Sequence, residues 1–252
     1  MPSYGFDIIE SCTSCTIKGD RRFCDLPDRA LQAFENLRYT TVFPEGTILF
    51  AEGHEPRGIF ILCRGRVKLS FCSVEGKTAI MKIAESGEVL GLSATISGQP
   101  YLVTAETIES CQINFIKRED FLRFLAGHTE AFFRVDQQLA EKYSYACRDL
   151  RSFNMAQSAA EKVAKLLLSW MLRSGEAEKR EPLVRLLLTQ EEMGQIIAAS
   201  RETVTRVLME FKKRHIVRSK GTTLFAKGTT LIIHDKVALN SLANATEFIK
   251  LH

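Results

Sequence analysis

The segment Leu188–Val217, LTQEEMGQIIAASRETVTRVLMEFKKRHIV, constrains this chain more tightly than any other. Thr189 followed by Glu192 is a T-x-x-E pair, in which each side chain satisfies the other residue's backbone N–H, so a helix is expected to start there. Met193, Ile196 and Ile197 give that helix one apolar face, and it should end near Ala198–Ala199. Ser200 then caps a second helix. On it Val204, Val207, Leu208 and Phe211 fall at i, i+3, i+4 and i+7 and should pack onto the first helix. Arg201, Glu202, Thr205 and Arg206 are left together on the opposite face, at the N-terminal end.

Two short helices joined so tightly make a helix-turn-helix, whose second helix presents those N-terminal residues to base edges in the major groove. The chemistry suits the task. Arg spans guanine O6 and N7, Glu accepts from the cytosine amine or braces an Arg, and Thr bonds a base or phosphate or touches a thymine methyl. Lys212, Lys213, Arg214, Arg218 and Lys220 suit phosphates, which add salt-dependent affinity without sequence choice. The candidate DNA-binding residues are therefore Ser200, Arg201, Glu202, Thr205, Arg206, Lys212 and Lys213. Val217–Ala226 and Thr230–His234 read as two strands of a wing around Lys227–Gly228. Charge agrees: residues 1–150 carry 17 Lys/Arg against 20 Asp/Glu, and residues 151–252 carry 17 against 10, so the excess positive charge lies with the candidate DNA reader.

Upstream the period changes twice. Residues 1–30 form a cysteine-bearing arm, and Leu31, Phe34 and Leu37 predict a helix over Asp28–Arg38. From Thr40 to about Ile116 come short β-rich runs: Thr47–Ala51, Ile59–Leu62, Val67–Phe71, Thr78–Ile83 and Cys111–Ile116. Glycines punctuate them, as in a sandwich or barrel. From Arg118 to Asn154 the pattern is helical. Phe132, Val135, Leu139, Tyr143, Ala146, Leu150 and Phe153 step by three and four, close to a coiled-coil seam. That seam is expected to join two copies rather than lie on its own domain. A helix over Ala159–Arg173 and a polar loop over Ser174–Glu181 follow. The expected divisions are an arm (1–30), a sensor domain (31–127), a dimerisation helix (128–154) and the DNA-binding domain (155–252).

Other classes find no support. No run of about 18 apolar residues occurs, so no membrane association is expected. The start MPSYGFDIIESC lacks a basic region followed by an apolar core, so a cytoplasmic protein is expected. There is no nucleophile elbow, P-loop or catalytic carboxylate pair, and the five histidines are scattered, so the chain is not expected to be an enzyme. Seven cysteines, an odd number, argue against a disulfide framework. Cys12, Cys15 and Cys24 crowd the arm, where thiolates suit a metal or a C-x-x-C redox pair. Cys63, Cys72 and Cys147 are expected to be small buried hydrophobes.

PEGTILFAEGHEPRGIFILCRGRVKLS, GEVLGLSATISGQPYLVTAETIESCQINFIKREDF and SRETVTRVL resemble the barrel hairpin, ligand loop with closing strands, and recognition helix of the CRP/FNR superfamily. The resemblance covers nearly the whole chain. It implies an α+β fold: an N-terminal cyclic-nucleotide-binding-like β-roll (a jelly roll), a long dimerisation helix and a C-terminal winged helix-turn-helix. It implies a homodimer bound to double-stranded DNA at a palindromic promoter site, with RNA polymerase as a further partner. Arg201, Glu202 and Arg206 look like the family's base-reading trio, which places a guanine under Arg206.

Leu92 and the pair Tyr101–Leu102 stand where the family's cyclic-nucleotide branch carries a Glu and an Arg-Ser pair. A cyclic phosphate would lose its water there without gaining a guanidinium, so no cAMP or cGMP is expected. The oxygen-sensing branch binds a [4Fe–4S] cluster through three arm cysteines and one strand cysteine. Carried over, the ligands are Cys12, Cys15, Cys24 and Cys111, four thiolates as such a cluster needs. The gap between Cys15 and Cys24 is longer than that branch usually shows, but the loop TIKGDRRF can close it at small entropic cost. Sensing of oxygen, redox state or nitric oxide through the cluster would then control dimerisation and DNA affinity. Four-thiolate zinc, a thiol–disulfide switch, and a haem or small-molecule pocket served by His54 are the competing readings.

Overall fold

A computed structural model describes residues 8–15, 23–73, 75–155, 158–173, 182–186, 188–220 and 227–243. The polar loop read at 174–181 lies outside them, as do residues 221–226 of the wing. The chain divides into two compact units, Met1–Cys147 and Arg148–His252, and the division falls within one long helix, α4 (Thr129–Met155).

The first unit opens with helix α1 (Asp28–Glu35), one turn shorter than the periodicity suggests. Strands β1 (Tyr39–Phe43), β2 (Ile48–Phe50), β3 (Gly58–Arg64), β4 (Val67–Cys72), β5 (Thr78–Ala84) and β6 (Val89–Leu90) follow, then the short helix α2 (Leu92–Ser97), β7 (Thr104–Thr107), β8 (Cys111–Lys117) and α3 (Arg118–Gly127). They form two four-stranded antiparallel sheets, β1-β8-β3-β6 and β2-β7-β4-β5, the β-roll. All five runs read as strands are strands. β1 and β7 escaped because YTTVF and TAET are too polar to stand out, and β6 is two residues long.

β3, GIFILCR, is buried along nearly its whole length because both of its faces are covered. Ile59, Ile61 and Cys63 face an outer core with Phe23, Leu31, Phe34, Phe121 and Phe124, while Phe60 and Leu62 face the roll interior. Phe23 anchors the outer core, its ring 5.2 Å from that of Phe34 and 5.8 Å from that of Phe121. β8 beside it divides the same way. Ile116 joins the outer core and Cys111 and Ile113 the inner one.

α4 serves two surfaces. Ala131 and Val135 are buried in the outer core and Leu139 packs against it, whereas Phe132, Phe133 and Tyr143 are exposed. The seam expected through Phe132, Val135 and Leu139 is therefore split: Val135 and Leu139 belong to the helix's own domain, and the outward apolar face runs through Phe132, Phe133 and Tyr143. The pattern of threes and fours merged two adjacent stripes of one helix. The side chains of Leu150 and Phe153 lie outside the described residues.

The second unit comprises α5 (Ala159–Arg173), β9 (Leu183–Arg185), α6 (Gln190–Ile197), α7 (Arg201–Lys213), β10 (Val217–Lys220), β11 (Thr230–Ile233) and α8 (Lys236–Leu242). The wing is a three-stranded sheet, β10-β11-β9, one strand more than expected.

Candidate DNA interface and cysteine sensor

α6 starts as the sequence requires. Thr189 Oγ1 accepts from Glu192 N at 3.1 Å, and Glu192 Oε2 accepts from Thr189 N at 2.9 Å. It ends at Ala198, which adopts the left-handed conformation at φ 54°, and Ala199 N donates to Gly194 O at 2.9 Å. A Cβ on Gly194 would sit 2.5 Å from Ala199 O, so the turn is built around the missing side chain. Ser200 Oγ caps α7 by accepting from Thr203 N at 3.2 Å. Val204, Val207, Leu208 and Phe211 are buried, as their spacing predicts.

Arg201, Glu202 and Arg206 are exposed near the start of α7. Backbone and Ser200 hydrogen bonds hold the Glu202 carboxyl below its ordinary range, so it is an acceptor at neutral pH. Thr205 differs from the other candidates: it is half-buried, and its hydroxyl donates to Arg201 O at 2.9 Å and also meets Gln190 Oε1. The Gln190 contact ties α7 to α6. Gln190 was missed by sequence reasoning because helix periodicity carries no signal for a side-chain bond between two helices. Lys212, Lys213, Arg214, Arg218 and Lys220 are all exposed, as phosphate contacts require.

The arm docks on the outer face of the first unit. Ile9 N donates to Gln112 Oε1 at 2.8 Å and Gln112 Nε2 donates to Ile9 O at 2.7 Å. Cys12 N donates to Glu35 Oε1 at 3.1 Å, and Arg38 binds Glu35 at 3.0 Å as well as the carbonyl of Glu10. Burial works to raise the Glu35 pKa, but bonds from Arg38, Cys12 N and Ser11 outweigh it and hold the group low. At the other end of the arm, Arg134 of α4 binds the Asp25 carboxylate at 2.6 Å and the Asp25 carbonyl at 3.1 Å.

The cysteines do not gather as the resemblance implies. Cys12 is buried in the outer core with Cys63, and Cys24 packs against it. Cys111 lies in the roll interior, its thiol 3.2 Å from the carbonyls of both Arg66 and Glu109. The strand between Cys111 and the arm separates them: Gln112 and Asn114 face the arm, so Cys111 faces away. Burial pushes the Cys111 thiol up to about 11. Cys63 goes up to about 12, through burial first and then the neighbouring Cys12 and Cys15. Cys72 and Cys147 are exposed, contrary to the expectation of burial, while Cys63 meets it. Among the described residues no group of three or more His, Cys, Asp or Glu is already arranged around a metal position, and no helix is long and apolar enough to cross a membrane.

In the ligand-loop region Leu92 is buried, and Tyr101 is buried with its ring stacked on Phe50 at a centroid distance of 4.1 Å. Tyr101 Oη donates to Gly58 O at 3.1 Å and accepts from Arg57 N at 3.2 Å. Gly91 lets this ring approach, since a Cβ there would be 3.0 Å from Tyr101 Cε1 and its φ is 73°. His54 is exposed on a turn.

The arrangement, a β-roll and a winged helix-turn-helix linked through one long helix, defines a one-component DNA-binding regulator. Residues 40–128 match the cyclic nucleotide-binding domain family, and residues 161–242 match the Crp-like helix-turn-helix domain family. This chain belongs to the CRP/FNR family of transcription regulators, a family of DNA-binding dimers rather than of enzymes. It is 28% identical over 182 residues to the CRP-like cAMP-activated global transcriptional regulator of Mycobacterium tuberculosis, covering 72% of this chain and 81% of that one. It is 21% identical over 203 residues to the cAMP-activated global transcriptional regulator CRP of Salmonella typhimurium, covering 80% and 96%. Among solved structures, FixK2 from Bradyrhizobium japonicum shares the fold with a TM-score of 0.68 at 18% identity, covering 81% of this chain and 96% of that one. A CooA mutant from Carboxydothermus hydrogenoformans does so with a TM-score of 0.66 at 17% identity, covering 82% and 88%.

Proposed function

We propose that this regulator binds a twofold-symmetric promoter site as a homodimer, and that the redox state of its N-terminal cysteines, rather than a cyclic nucleotide, sets its affinity for DNA. Arg201, Glu202 and Arg206 read bases and Lys212 and Lys213 hold phosphates. A guanine lies under Arg206, and RNA polymerase is the further partner of the bound dimer. The two relatives from Mycobacterium tuberculosis and Salmonella typhimurium are cAMP-activated. Here Tyr101, stacked on Phe50 in the roll interior, and Leu92, buried in the outer core, stand where the cyclic-nucleotide branch carries an Arg-Ser pair and a Glu, and neither offers an anionic phosphate a guanidinium.

One observation carries the sensing half of this reading. The arm that buries Cys12 in the outer core also grips α4 through Asp25 and Arg134, next to the exposed Phe132 and Phe133. Chemistry at the arm thiols that favours the docked state would fix the start of the long helix, and chemistry that releases the arm would loosen it. This is a shift between two populations driven by their difference in stability. Oxygen, nitric oxide or a change of redox potential is the signal class suited to thiols.

The [4Fe–4S] reading requires four convergent thiolates. The set Cys12, Cys15, Cys24 and Cys111 does not supply them in this fold, because Cys111 opens into the roll interior, so a cluster on that set does not fit. A haem pocket is not favoured either, with His54 exposed on its turn.

The test is operator binding by fluorescence anisotropy under anaerobic reducing conditions and after exposure to air. The wild type should change affinity by about tenfold or more, equivalent to about 1.4 kcal/mol. A Cys12→Ser/Cys15→Ser variant should not respond. Equal responses of the two proteins, or a large gain in wild-type affinity on adding cAMP, would refute the reading.

A further inference from the structure

We propose that Lys142, where α4 meets β6 of the roll, is a modification site that takes up dissolved carbon dioxide as a carbamate. The site lies apart from the arm and does not rest on the proposed role of its cysteines. What sets Lys142 apart is the set of groups around its amine.

Lys142 is half-buried and turns its amine in to the roll, where Nζ donates to Val89 O at 2.7 Å. That partner is a neutral carbonyl. Glu88, the carboxylate nearby, is already taken: Lys82 Nζ binds its Oε2, and Glu85 N donates to its Oε1 at 3.0 Å. The turn that carries it is fixed to β3, since Gly87 N donates to Leu62 O at 2.6 Å and Leu62 N donates to Glu88 O at 3.0 Å. Lys82 and Glu88 are the charged groups that face Lys142 from the roll, and Lys82 has the larger effect. The position is therefore net positive, which penalises an ammonium and favours an anion in its place. Burial adds to the penalty on the ammonium, and the amine gives up its proton near pH 8. From α4 itself the neighbour is neutral. Gln138 lies one turn earlier on the same face, and among the described residues its buried Oε1 has no hydrogen-bond partner. Turning that amide over would present its NH₂ group to an anion at Lys142.

The neutral amine is the reactive form, because its lone pair is the nucleophile. That lone pair forms a C–N bond to the carbon of CO₂, one C=O pair moves onto oxygen, and an N–H proton leaves to water. Amine plus CO₂ thus gives carbamate plus one proton, with nothing oxidised or reduced. CO₂ suits the site because it is small and uncharged, so it enters beside a half-buried side chain without the desolvation cost of an ion. The product keeps one N–H with which to hold Val89 O, and Lys82 then lies between two anions, Glu88 and the carbamate. The modification reverses the charge of a group that ties α4 to β6, on the helix that carries the exposed Phe132 and Phe133.

The experiment equilibrates the full chain with isotopically labelled CO₂ at fixed pressure, traps the carbamate by ethylation with triethyloxonium ion, and reads the digested protein by mass spectrometry. Lys142 should carry the labelled ethoxycarbonyl group at more than about tenfold the level of Lys77, which is exposed in the β4–β5 hairpin, as the lowered pKa of Lys142 requires. Its label should climb as pH approaches about 8. Lys82→Met should cut the label on Lys142 by about fivefold, the scale of one nearby charge, and Glu88→Gln should raise it. A lysine that merely ties two elements together would carry no label for either variant to change. Thermal unfolding checks that the variants are folded, and Lys82→Gln replaces Lys82→Met if the latter is not. The wild-type labelling stands without any variant. An unlabelled Lys142, a label no greater than that on Lys77, or a label indifferent to loss of Lys82 in a folded protein would overturn the proposal.

Discussion

The side chain of Gln112 holds the backbone of Ile9 by two reciprocal hydrogen bonds, as a neighbouring strand would, and is itself fully buried beneath the arm. This one amide fastens the N-terminal segment to β8. Replacing it with Ala removes both bonds and should cost about 1–3 kcal/mol, the loss for a buried polar group and its partners. Hydrogen exchange over residues 8–15 is expected to accelerate in Gln112→Ala while exchange in β3 is unchanged. Unaltered protection of the arm would mean that other contacts hold it.

Arg206 and Lys213 should separate base reading from phosphate binding. Arg206→Ala is expected to lose about 1–3 kcal/mol of discrimination at one guanine of each half-site. Lys213→Ala should weaken operator and random duplex alike and lower the salt slope by about 1. Anisotropy titrations on both duplexes at several salt concentrations measure the two effects. If Arg206→Ala kept full preference for the operator, α7 could not be the reading helix.

Gly194→Ala should destabilise the second unit. The added methyl meets Ala199 O at 2.5 Å, so the turn must shift, at a cost on the order of 1–3 kcal/mol. Thermal melting should show the loss, and operator affinity should fall with it, because α7 is positioned by that turn. A variant as stable as the wild type would show that the turn relaxes freely.

Lys142 gives a dependence on pH. Its Nζ donates to Val89 O at 2.7 Å. Burial, with Lys82 nearby and Glu88 opposing, lowers its pKa from 10.5 to about 8. Between those values the unfolded chain holds a proton that the folded one has released. This group therefore makes stability rise with pH from about 8 to 10.5, and contributes no pH dependence below about 8. Cys63 and Cys111 act in the opposite sense once pH passes the ordinary thiol value of 9.0, since their folded thiols stay protonated to higher pH. Denaturant unfolding of wild type and Lys142→Met across this range isolates the lysine. The stability difference, wild type minus variant, should grow with pH, and a flat difference would refute the assignment.

Much of the second unit was legible in the sequence because its information is local. The Thr189–Glu192 cap, the Ser200 cap and the stripe Val204, Val207, Leu208 and Phe211 all act within a few residues, and each occurs as read. The exposure of Arg201, Glu202 and Arg206 follows from burial of that stripe. Thr205 was less legible, since its bond to Gln190 joins two helices. On α4 the period of three and four was right for a helix but could not say which of two adjacent stripes meets the roll.

The sequence by itself determined the class of fold, the candidate DNA-reading helix, and the clustering of thiols in the arm, because periodicity, caps and composition are properties of the chain. Only the tertiary structure decided which thiol of the roll accompanies the arm. β3 is covered on both faces, so GIFILCR lacks the alternation of apolar and polar residues that would reveal its sides, and the alternation in CQINF of β8 separates two faces without saying which of them meets the arm. Whether Cys63 or Cys111 faces Cys12 is set by strand register and by the arm's docking on Gln112 and Asn114, which exist only once distant segments have met.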